Sequence, residues 1–203
     1  MGCEFSQSVG KGDGGRRIFW DTLTLSPGVS YTVLLSSNVG GCQGTSVIPR
    51  TTYILEPLNY DTLTLGRNVR VSWAKAQNAS FYHLRYAFDA YNSSGWWIGY
   101  EYVDTFVVDT IFIIRASFFN YPGAAYYEGE VEVLPISGPV IGPGATSNMQ
   151  GFVKGFLYGV GEGDDISFYV GTPVKKSSSF NHSKPSKRDV FNAILKRLRL
   201  EVE

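Results

Sequence analysis

The chain contains few residues of the kinds that carry redox, metal or acid–base chemistry. Its 203 residues include two cysteines and two histidines, namely Cys3, Cys42, His83 and His182. A zinc site requires Cys and His side chains at short spacing, and these four are scattered along the chain. Nucleophilic catalysis requires a base beside an activated Ser or Cys, and the Gly-x-Ser-x-Gly motif is absent. The sequence therefore predicts a noncatalytic protein without a metal or cofactor.

Long hydrophobic runs are also absent. A helix that spans a bilayer needs about 20 nearly uncharged apolar residues. The most apolar stretch, from Tyr102 to Phe119, is interrupted by Asp104, Asp109 and Arg115. The first 20 residues contain no apolar core of a secretory signal. If the natural protein is exported, we expect its leader to be missing from this chain.

Charged residues are sparse, at 18% of the chain, and they are unevenly distributed. Residues 175–203 contain eight basic and three acidic residues, a net charge of +5, and the remaining residues carry a net charge of −5. The neutral total therefore combines an acidic body with a basic C-terminal segment.

Aromatic residues and glycines, in contrast, are abundant. Phe, Trp and Tyr make up 15% of the chain, and there are 23 glycines, more than the usual frequency of about 7%. Aromatic and β-branched residues favour strands, and glycines favour the turns between them. This composition excludes a disordered chain and predicts an all-β protein made of many short strands.

The segment from Thr51 to Leu134 contains seven predicted strands. They are Tyr53–Leu55, Asn68–Ala74, Phe81–Phe88, Trp97–Val103, Thr105–Val108, Thr110–Phe118 and Ala125–Leu134. Short strands separated by turn signals are typical of an antiparallel sandwich. Strand alternation supports this, because Val69, Val71 and Trp73 share one face.

Four motifs carry a family resemblance: Val71-Ser72-Trp73, Phe81-Tyr82-His83-Leu84-Arg85-Tyr86, Phe112-Ile113-Ile114-Arg115-Ala116-Ser117 and Gly129-Glu130-Val131-Glu132-Val133. Over about residues 51–134 the chain resembles a fibronectin type III domain, in which the Trp is a core residue and the Tyr-rich third strand packs on it. Thr110 stands where that family usually has a Tyr, so an immunoglobulin-like sandwich of another lineage stays open. The resemblance implies an adhesive or architectural role and no catalytic residues.

The ends of the chain predict further elements around this sandwich. We expect a flexible tether at 1–15, a hairpin at 16–48, the sandwich at 49–136, a linker at 137–148, a hairpin at 149–173 and a basic linker and helix at 174–203. The first hairpin pairs Ile18–Leu25 with Val29–Leu35, and the second pairs Gly151–Tyr158 with Ile166–Val170. An isolated hairpin is marginally stable in water, so the two are predicted to pair with each other or with the sandwich and to form one small accessory sheet. We also expect a cover over Ile111 and Ile113, which are apolar and point outward.

The C-terminal segment predicts a short amphipathic helix. Ser186 can cap this helix, with Asp189 three residues later. Its apolar stripe consists of Val190, Phe191, Ile194, Leu195 and Leu198. Three interpretations stay open: docking on the acidic body, binding to a membrane surface or partner, and a tail foreign to the fold. Nucleic-acid binding is not expected, because aromatic residues do not alternate with the basic ones.

The run from Tyr91 to Tyr102 is the strongest indication of a binding surface. Strand alternation points Trp97 to one face and Trp96, Tyr100 and Tyr102 to the other. Exposed rings at this place would stack on sugars or anchor a protein partner. The alternative is that they pack beneath the accessory sheet. Trp96, Trp97 and Tyr100 are the candidate ligand-binding residues.

Two sets of polar residues on predicted strands have structural interpretations. His83 and Arg85 alternate with apolar neighbours and point outward, so His83 is expected to be solvated or structural rather than catalytic. Glu128, Glu130 and Glu132 share one face of their strand, as in a solvated edge that discourages aggregation.

The N-terminus contains a candidate lipid anchor. Met1-Gly2-Cys3-Glu4-Phe5-Ser6 fits the myristoylation pattern, with Cys3 as the palmitoylation site. The same residues resemble the mature start of a bacterial lipoprotein whose leader has been replaced by Met. The second interpretation fits an exported adhesion-type sandwich better.

Together these patterns predict a noncatalytic, extracytoplasmic β-sandwich module, at a cell surface or in the periplasm. In the first hypothesis it binds a protein partner for adhesion or assembly, with membrane association through Cys3 or the basic helix. In the second it is a carbohydrate-binding module that uses Trp96, Trp97 and Tyr100. A third hypothesis, an enzyme accessory domain or unrecognised hydrolase, requires two convergent carboxylates in a deep pocket.

Overall fold

The computed structural model describes residues 10–11, 17–18, 25–37, 40–140, 146–151 and 155–174. These residues form an all-β protein with antiparallel sheets, as the composition predicts. Cys3, most of the predicted tether and first strand, and the C-terminal helix lie outside the described residues. Within the described ranges, no helix is long and apolar enough to cross a bilayer.

The strands and one short 3-10 turn follow one another along the described chain. In order they are β1 (Gly10–Lys11), β2 (Arg17–Ile18), β3 (Ser30–Ser37), β4 (Gly40–Val47), β5 (Ile54–Glu56), β6 (Thr62–Leu63), β7 (Val69–Trp73), β8 (Phe81–Tyr91), β9 (Trp97–Val107), β10 (Ile111–Ile114), the 3-10 turn (Ala116–Phe118), β11 (Tyr126–Ser137), β12 (Met149–Gly151), β13 (Gly159–Val160) and β14 (Asp164–Val170). The two-residue strands β1 and β2 pair with each other.

The largest sheet contains six strands. Five of them lie in the order β6-β14-β11-β8-β9, and β13 pairs with β11 beside them. All neighbours are antiparallel except β6, which is parallel to β14. The central strands β8 and β11 pair from Tyr126 opposite Tyr91 to Ile136 opposite Phe81. Both are buried along most of their length on both faces.

The main core lies between this sheet and a three-stranded sheet in the order β10-β7-β5. Val69, Val71 and Trp73 of β7 are buried there, and Trp73 packs edge-to-face against Tyr82 of β8 with ring centroids 5.4 Å apart. The Tyr82 hydroxyl accepts a hydrogen bond of 2.9 Å from the backbone N–H of Ala76. The alternation predicted for β7 and β8 is confirmed.

One glycine is required where β11 passes the aromatic part of the core. Phe88 of β8 contacts the rings of Phe118, Phe119 and Phe168 at centroid distances of 5.6, 4.8 and 5.6 Å. Gly129 pairs with Phe88, and a Cβ at this glycine would lie 2.2 Å from the Phe88 ring. A side chain is therefore excluded from this point of the central strand.

A third sheet, in the order β12-β4-β3, differs from the predicted accessory sheet in its strands. The glycines of segment 40–44 would be expected to interrupt a strand. Instead the segment lies within β4 and pairs with β3. A glycine suits this place in β4 because β12 packs closely against it: a Cβ at Gly44 would lie 3.0 Å from the Met149 side chain of β12. Glycine lets the third strand approach.

The predicted hairpin of Gly151–Tyr158 with Ile166–Val170 is wrong. β12 pairs with β4, whereas β14 pairs with β11 over seven residues. Ile166, Phe168 and Val170 of β14 alternate into the main core, where they are buried. A strand with this apolar face is more stable beside the central strand than in a solvated ribbon. The core therefore extends to residue 170, past the predicted boundary at 136.

The expectation that Ile111 and Ile113 are covered is also wrong. They remain 45% and 44% exposed on the outer face of β10. Across the sheet from them Arg70 forms an ion pair with Glu56, with 2.8 Å between Nη1 and Oε2.

Candidate functional site

The outer face of the large sheet carries a row of exposed aromatic rings along β9. We call four rings the aromatic strip: Trp97, Tyr100 and Tyr102 of β9, which are 59%, 42% and 45% exposed, and Trp96 in the turn before β9, which is 73% exposed. The alternative that these rings pack beneath an accessory sheet is therefore wrong. The two strands predicted at Trp97–Val103 and Thr105–Val108 are one continuous strand.

A change of register places Trp97 on the same face as Tyr100 and Tyr102. Gly99 pairs with Ala90, but Trp97 pairs with Tyr91, so Ile98 is an extra residue on β9. One extra residue reverses the alternation of the side chains. The prediction that Trp97 faces away from Tyr100 is wrong for this reason.

The turn before β9 is held by Asn92. Its side-chain Oδ1 accepts hydrogen bonds from the backbone N–H groups of Ser94 and Trp96 at 2.9 and 3.0 Å. Gly95 has a φ of +77°, a conformation that favours glycine. Side-chain bonds of this kind stabilise tight turns, so the backbone that carries Trp96 is fixed.

Two aspartates hold rings of the aromatic strip. The Trp97 indole Nε1–H donates a hydrogen bond of 2.8 Å to Asp89 Oδ1. The Tyr102 hydroxyl donates one of 3.0 Å to Asp104 Oδ2. Burial, followed by the charge of Asp104 and this hydrogen bond, raises the pKa of Tyr102 to about 12. Tyr102 is therefore a neutral hydrogen-bonding phenol at physiological pH.

Beside the aromatic strip the same face carries six carboxylates, which we call the acidic cluster. They are Asp89, Asp104, Glu128, Glu130, Glu132 and Asp165, all on one face according to the strand register. Glu128, Glu130 and Glu132 are only 2%, 8% and 6% exposed. The prediction that they form a solvated edge is wrong, because β11 lies between β8 and β14 and neighbouring side chains flank it on both sides.

Arg85 and His83 of β8 lie within the acidic cluster and bind three of its carboxylates. Arg85 lies between two glutamates, with Nη2 3.2 Å from Glu130 Oε1 and Nε 3.4 Å from Glu132 Oε2. His83 is 2% exposed, and its Nε2 forms a hydrogen bond with Asp104 Oδ1. The histidine is structural and not solvated.

Burial and partners act in opposite directions on two carboxylates of the acidic cluster. Burial raises the pKa of Glu132 despite the nearby charge of Arg85. Burial also raises the pKa of Asp104. The hydrogen bonds from His83 and Tyr102, together with the charges of His83 and Arg85, outweigh burial, so the net effect is a lowered pKa for Asp104. Asp104 is therefore the better-stabilised anion beside the strip.

The middle of the acidic cluster is closed to solvent. Its glutamates are covered, and Arg85 is held between two of them. Among the described residues, no group of three His, Cys, Asp or Glu side chains is placed to hold a metal ion. An open cavity of about 370 Å³ lies elsewhere, and it is lined by Glu56, Pro57, Asp61, Leu63, Thr64, Arg67, Asn68, Val69 and Arg70.

The structure brings the candidate residues Trp97 and Tyr100 together on one face and leaves Trp96 exposed in the adjoining turn, whereas Cys3 lies outside the described residues. Sequence reasoning missed Asp89 and Asp104 as partners of the rings. A signal for Asp89 was present, because a hairpin closed at residues 92–96 places Asp89 opposite Tyr100.

Comparison with known proteins adds no relative to this description. No protein-family model, curated protein or solved structure matches the chain. The geometry of the sheet and of its side chains is therefore the basis for the functional proposal.

Proposed function

We propose that the chain is a noncatalytic binding module with an immunoglobulin-like, fibronectin type III-like sandwich. The strand order supports this proposal. One sheet contains β5, β7 and β10, which are the first, second and fifth of the seven sandwich strands in chain order. The other sheet contains β9, β8, β11 and β14, which are the fourth, third, sixth and seventh. Immunoglobulin-like sandwiches likewise combine their A, B and E strands in one sheet and their C, F and G strands in the other.

The ligand proposed for the aromatic strip is carbohydrate. The exposure of Trp97, Tyr100 and Tyr102 on one rigid sheet face, with the exposed Trp96 in the turn beside them, carries this proposal. Indole and phenol rings offer an apolar face that stacks on the C–H face of a sugar ring. Their polar edges and the neighbouring aspartates supply hydrogen-bonding groups for sugar hydroxyls.

The acidic cluster favours neutral or amino-bearing glycans over acidic ones. Among the residues that the structure describes, six carboxylates share the face with one arginine and one histidine. A surface with this excess of negative charge attracts cations and repels anions, and the effect weakens as salt increases. Uronic-acid and sulfated polysaccharides are therefore expected to bind weakly.

Affinity gel electrophoresis tests the carbohydrate proposal. The full chain is run through gels that contain hydroxyethylcellulose, xylan, galactomannan, glycol chitosan or polygalacturonate. We expect at least one of the first four to retard the wild-type chain and polygalacturonate to leave it unretarded. Trp97→Ala and Tyr100→Ala should raise the Kd at least tenfold, because each removes a stacking ring.

Tyr53→Ala is the matched control, since Tyr53 is an equally large ring, 61% exposed, outside the strip. It should leave the retardation unchanged. Equal retardation of wild type and Trp97→Ala in every gel, or an equal loss in the Tyr53→Ala control, would contradict the proposal.

Protein binding for adhesion or assembly is the second candidate function. It is favoured by the position of β9 at the end of the large sheet, where this 11-residue strand pairs with β8 alone among the described residues. Attachment to a cell surface through Cys3, and an extracytoplasmic location, stay predictions.

A further inference from the structure

The outer face of the large sheet combines apolar rings with negative charge. Along β9 and in the turn before it lie the exposed rings of the aromatic strip. Within the part of the chain that the structure describes, the six carboxylates of the acidic cluster share this face with Arg85 and His83. Attraction of a cationic segment depends on this net charge and needs no free oxygen on any one carboxylate. The face therefore favours an occupant that is both apolar and positively charged.

The chain itself contains such a segment. Residues 175–203 carry a net charge of +5, and their predicted helix has an apolar stripe from Val190 to Leu198. At about 100° per residue, Arg197 and Arg199 flank this stripe, one on each side. Residues four apart on a helix are separated by about 6 Å along its axis, and alternate residues of a strand by about 6.7 Å. The side chains of the stripe are therefore spaced much like the rings on β9.

The last described strand ends near the aromatic strip. Val170 of β14 pairs with Tyr127 of β11, and this row continues through β8 to Gly99 of β9. The chain therefore leaves the large sheet at the level of the first residues of β9, three strand spacings of about 4.8 Å away from them. Residues 175–185, which precede the predicted helix, span up to about 36 Å when extended. This length is sufficient for the helix to reach the strip.

The exposed apolar residues of the smaller core sheet suit this segment less well. Ile111 and Ile113 are 45% and 44% exposed on the outer face of that sheet. The charged groups across the sheet from them, Arg70 and Glu56, form an ion pair with each other. A neutral pair attracts a cation weakly, so charge complementarity favours the large sheet.

We propose that the predicted helix at 186–203 docks on the outer face of the large sheet of its own chain. Its apolar stripe lies on the aromatic strip, and its arginines lie beside the acidic cluster. Docking there covers the rings to which we assign carbohydrate binding, so the segment and a glycan compete for them. Docking itself depends on the charge and apolar surface of the two parts and not on a glycan.

Carbodiimide cross-linking of the full chain tests where the segment lies. The reagent joins an amine to a carboxylate only where the two groups are in contact. Arg197→Lys and Arg199→Lys keep the charge of the segment and place amines beside its apolar stripe. We expect these amines to be joined to carboxylates of the acidic cluster. Glu56 is the control, because its side chain is 53% exposed on the other sheet, against 30% for Asp104, and it should stay unlinked.

An equal mixture of isotopically labelled and unlabelled chains separates docking within one chain from contact between copies. Each cross-linked peptide pair should contain a single isotope. Pairs of mixed isotope, links to Glu56 as frequent as links to the acidic cluster, or a segment without links to the described residues would each overturn the proposal.

Leu195→Asp and Asn192→Asp are a matched pair of variants for the apolar contact. Each adds one negative charge to the segment, but only Leu195 belongs to the stripe. Leu195→Asp should lower the yield of the cross-links about tenfold or more, because it places a carboxylate against the rings. Asn192→Asp should retain most of the yield. Equal yields from the two variants would contradict docking through the stripe.

NMR spectra of the full chain without glycan give a second readout. The indole N–H signals of Trp96 and Trp97 should differ between the wild type and Leu195→Asp, while the signal of the buried Trp73 stays in place and reports an intact core. Strip signals that Leu195→Asp leaves unmoved would overturn the proposal. Because no glycan is present, such a failure leaves the carbohydrate proposal standing, and a chain that no polysaccharide retards leaves docking standing.

Discussion

At the residue scale, Ile98 determines which aromatic rings share a surface. As an extra residue opposite the Ala90–Tyr91 step, it turns Trp97 toward Tyr100 and Tyr102. Asp89 then reaches the Trp97 indole, and Asp104 reaches the Tyr102 hydroxyl. The strip therefore depends on one register shift and two carboxylates.

The Asp104 carboxylate should make stability depend on pH in a defined direction. Its pKa is lowered in the folded protein from the ordinary value of 3.8. A carboxyl whose folded pKa is depressed contributes stability above its unfolded pKa and loses it as the pH falls through the folded pKa. Asp104→Asn should therefore be less stable than wild type at pH 5 to 7, with a difference that shrinks below about pH 4.

Urea unfolding of both proteins at several pH values measures this difference. Glu132, whose raised pKa acts in the opposite direction, is present in both proteins, and the subtraction removes most of its contribution. A difference in unfolding free energy that stays constant from pH 7 to pH 3 would contradict the role assigned to Asp104.

At the element scale, β14 completes the core beside β11. Phe168 is fully buried, and its ring centroid lies 5.6 Å from that of Phe88. Phe168→Ala should lower the free energy of unfolding by about 3 to 5 kcal/mol, because it removes a large apolar side chain and leaves a cavity.

Ser167→Ala is the control for the β14 prediction, since Ser167 points to the opposite face of the same strand. It should change stability by less than about 1 kcal/mol. Chemical denaturation followed by tryptophan fluorescence measures both variants. If the two substitutions cost the same, β14 is not a core strand.

Local patterns allowed β7 and β8 to be predicted, because Val69, Val71 and Trp73 alternate with polar neighbours and Tyr82 follows the same rule. They could not place β14, since Ile166, Phe168 and Val170 satisfy a solvated hairpin and a core strand equally well. That choice depends on pairing with β11, whose partner residues lie 31 to 43 positions earlier in sequence, and long-range pairing leaves no local signal. For the site, the aromatic run was visible and strand alternation places Asp104 on the face of Tyr102, but the hydrogen bond of Asp104 with His83 required the register of β8 with β9.

At the scale of the whole molecule, the two faces of the large sheet have different surroundings. Its inner face packs against the β10-β7-β5 sheet, while its outer face presents the aromatic strip beside the acidic cluster. The central strands are buried on both faces, so the outer surface is held by the same strands that form the core. A rigid surface of this kind orders few groups on binding, which favours affinity.

The central claim is that the aromatic strip binds carbohydrate, and the indole N–H signals of the tryptophans in an NMR titration test it most directly. The titrant is a hexasaccharide of the polysaccharide that retards the chain most strongly. The signals of Trp96 and Trp97 should shift with one saturable Kd, while that of Trp73, which is buried in the core, stays in place. Signals of Trp96 and Trp97 that do not move with hexasaccharides of any of the neutral or amino-bearing polysaccharides would contradict the account.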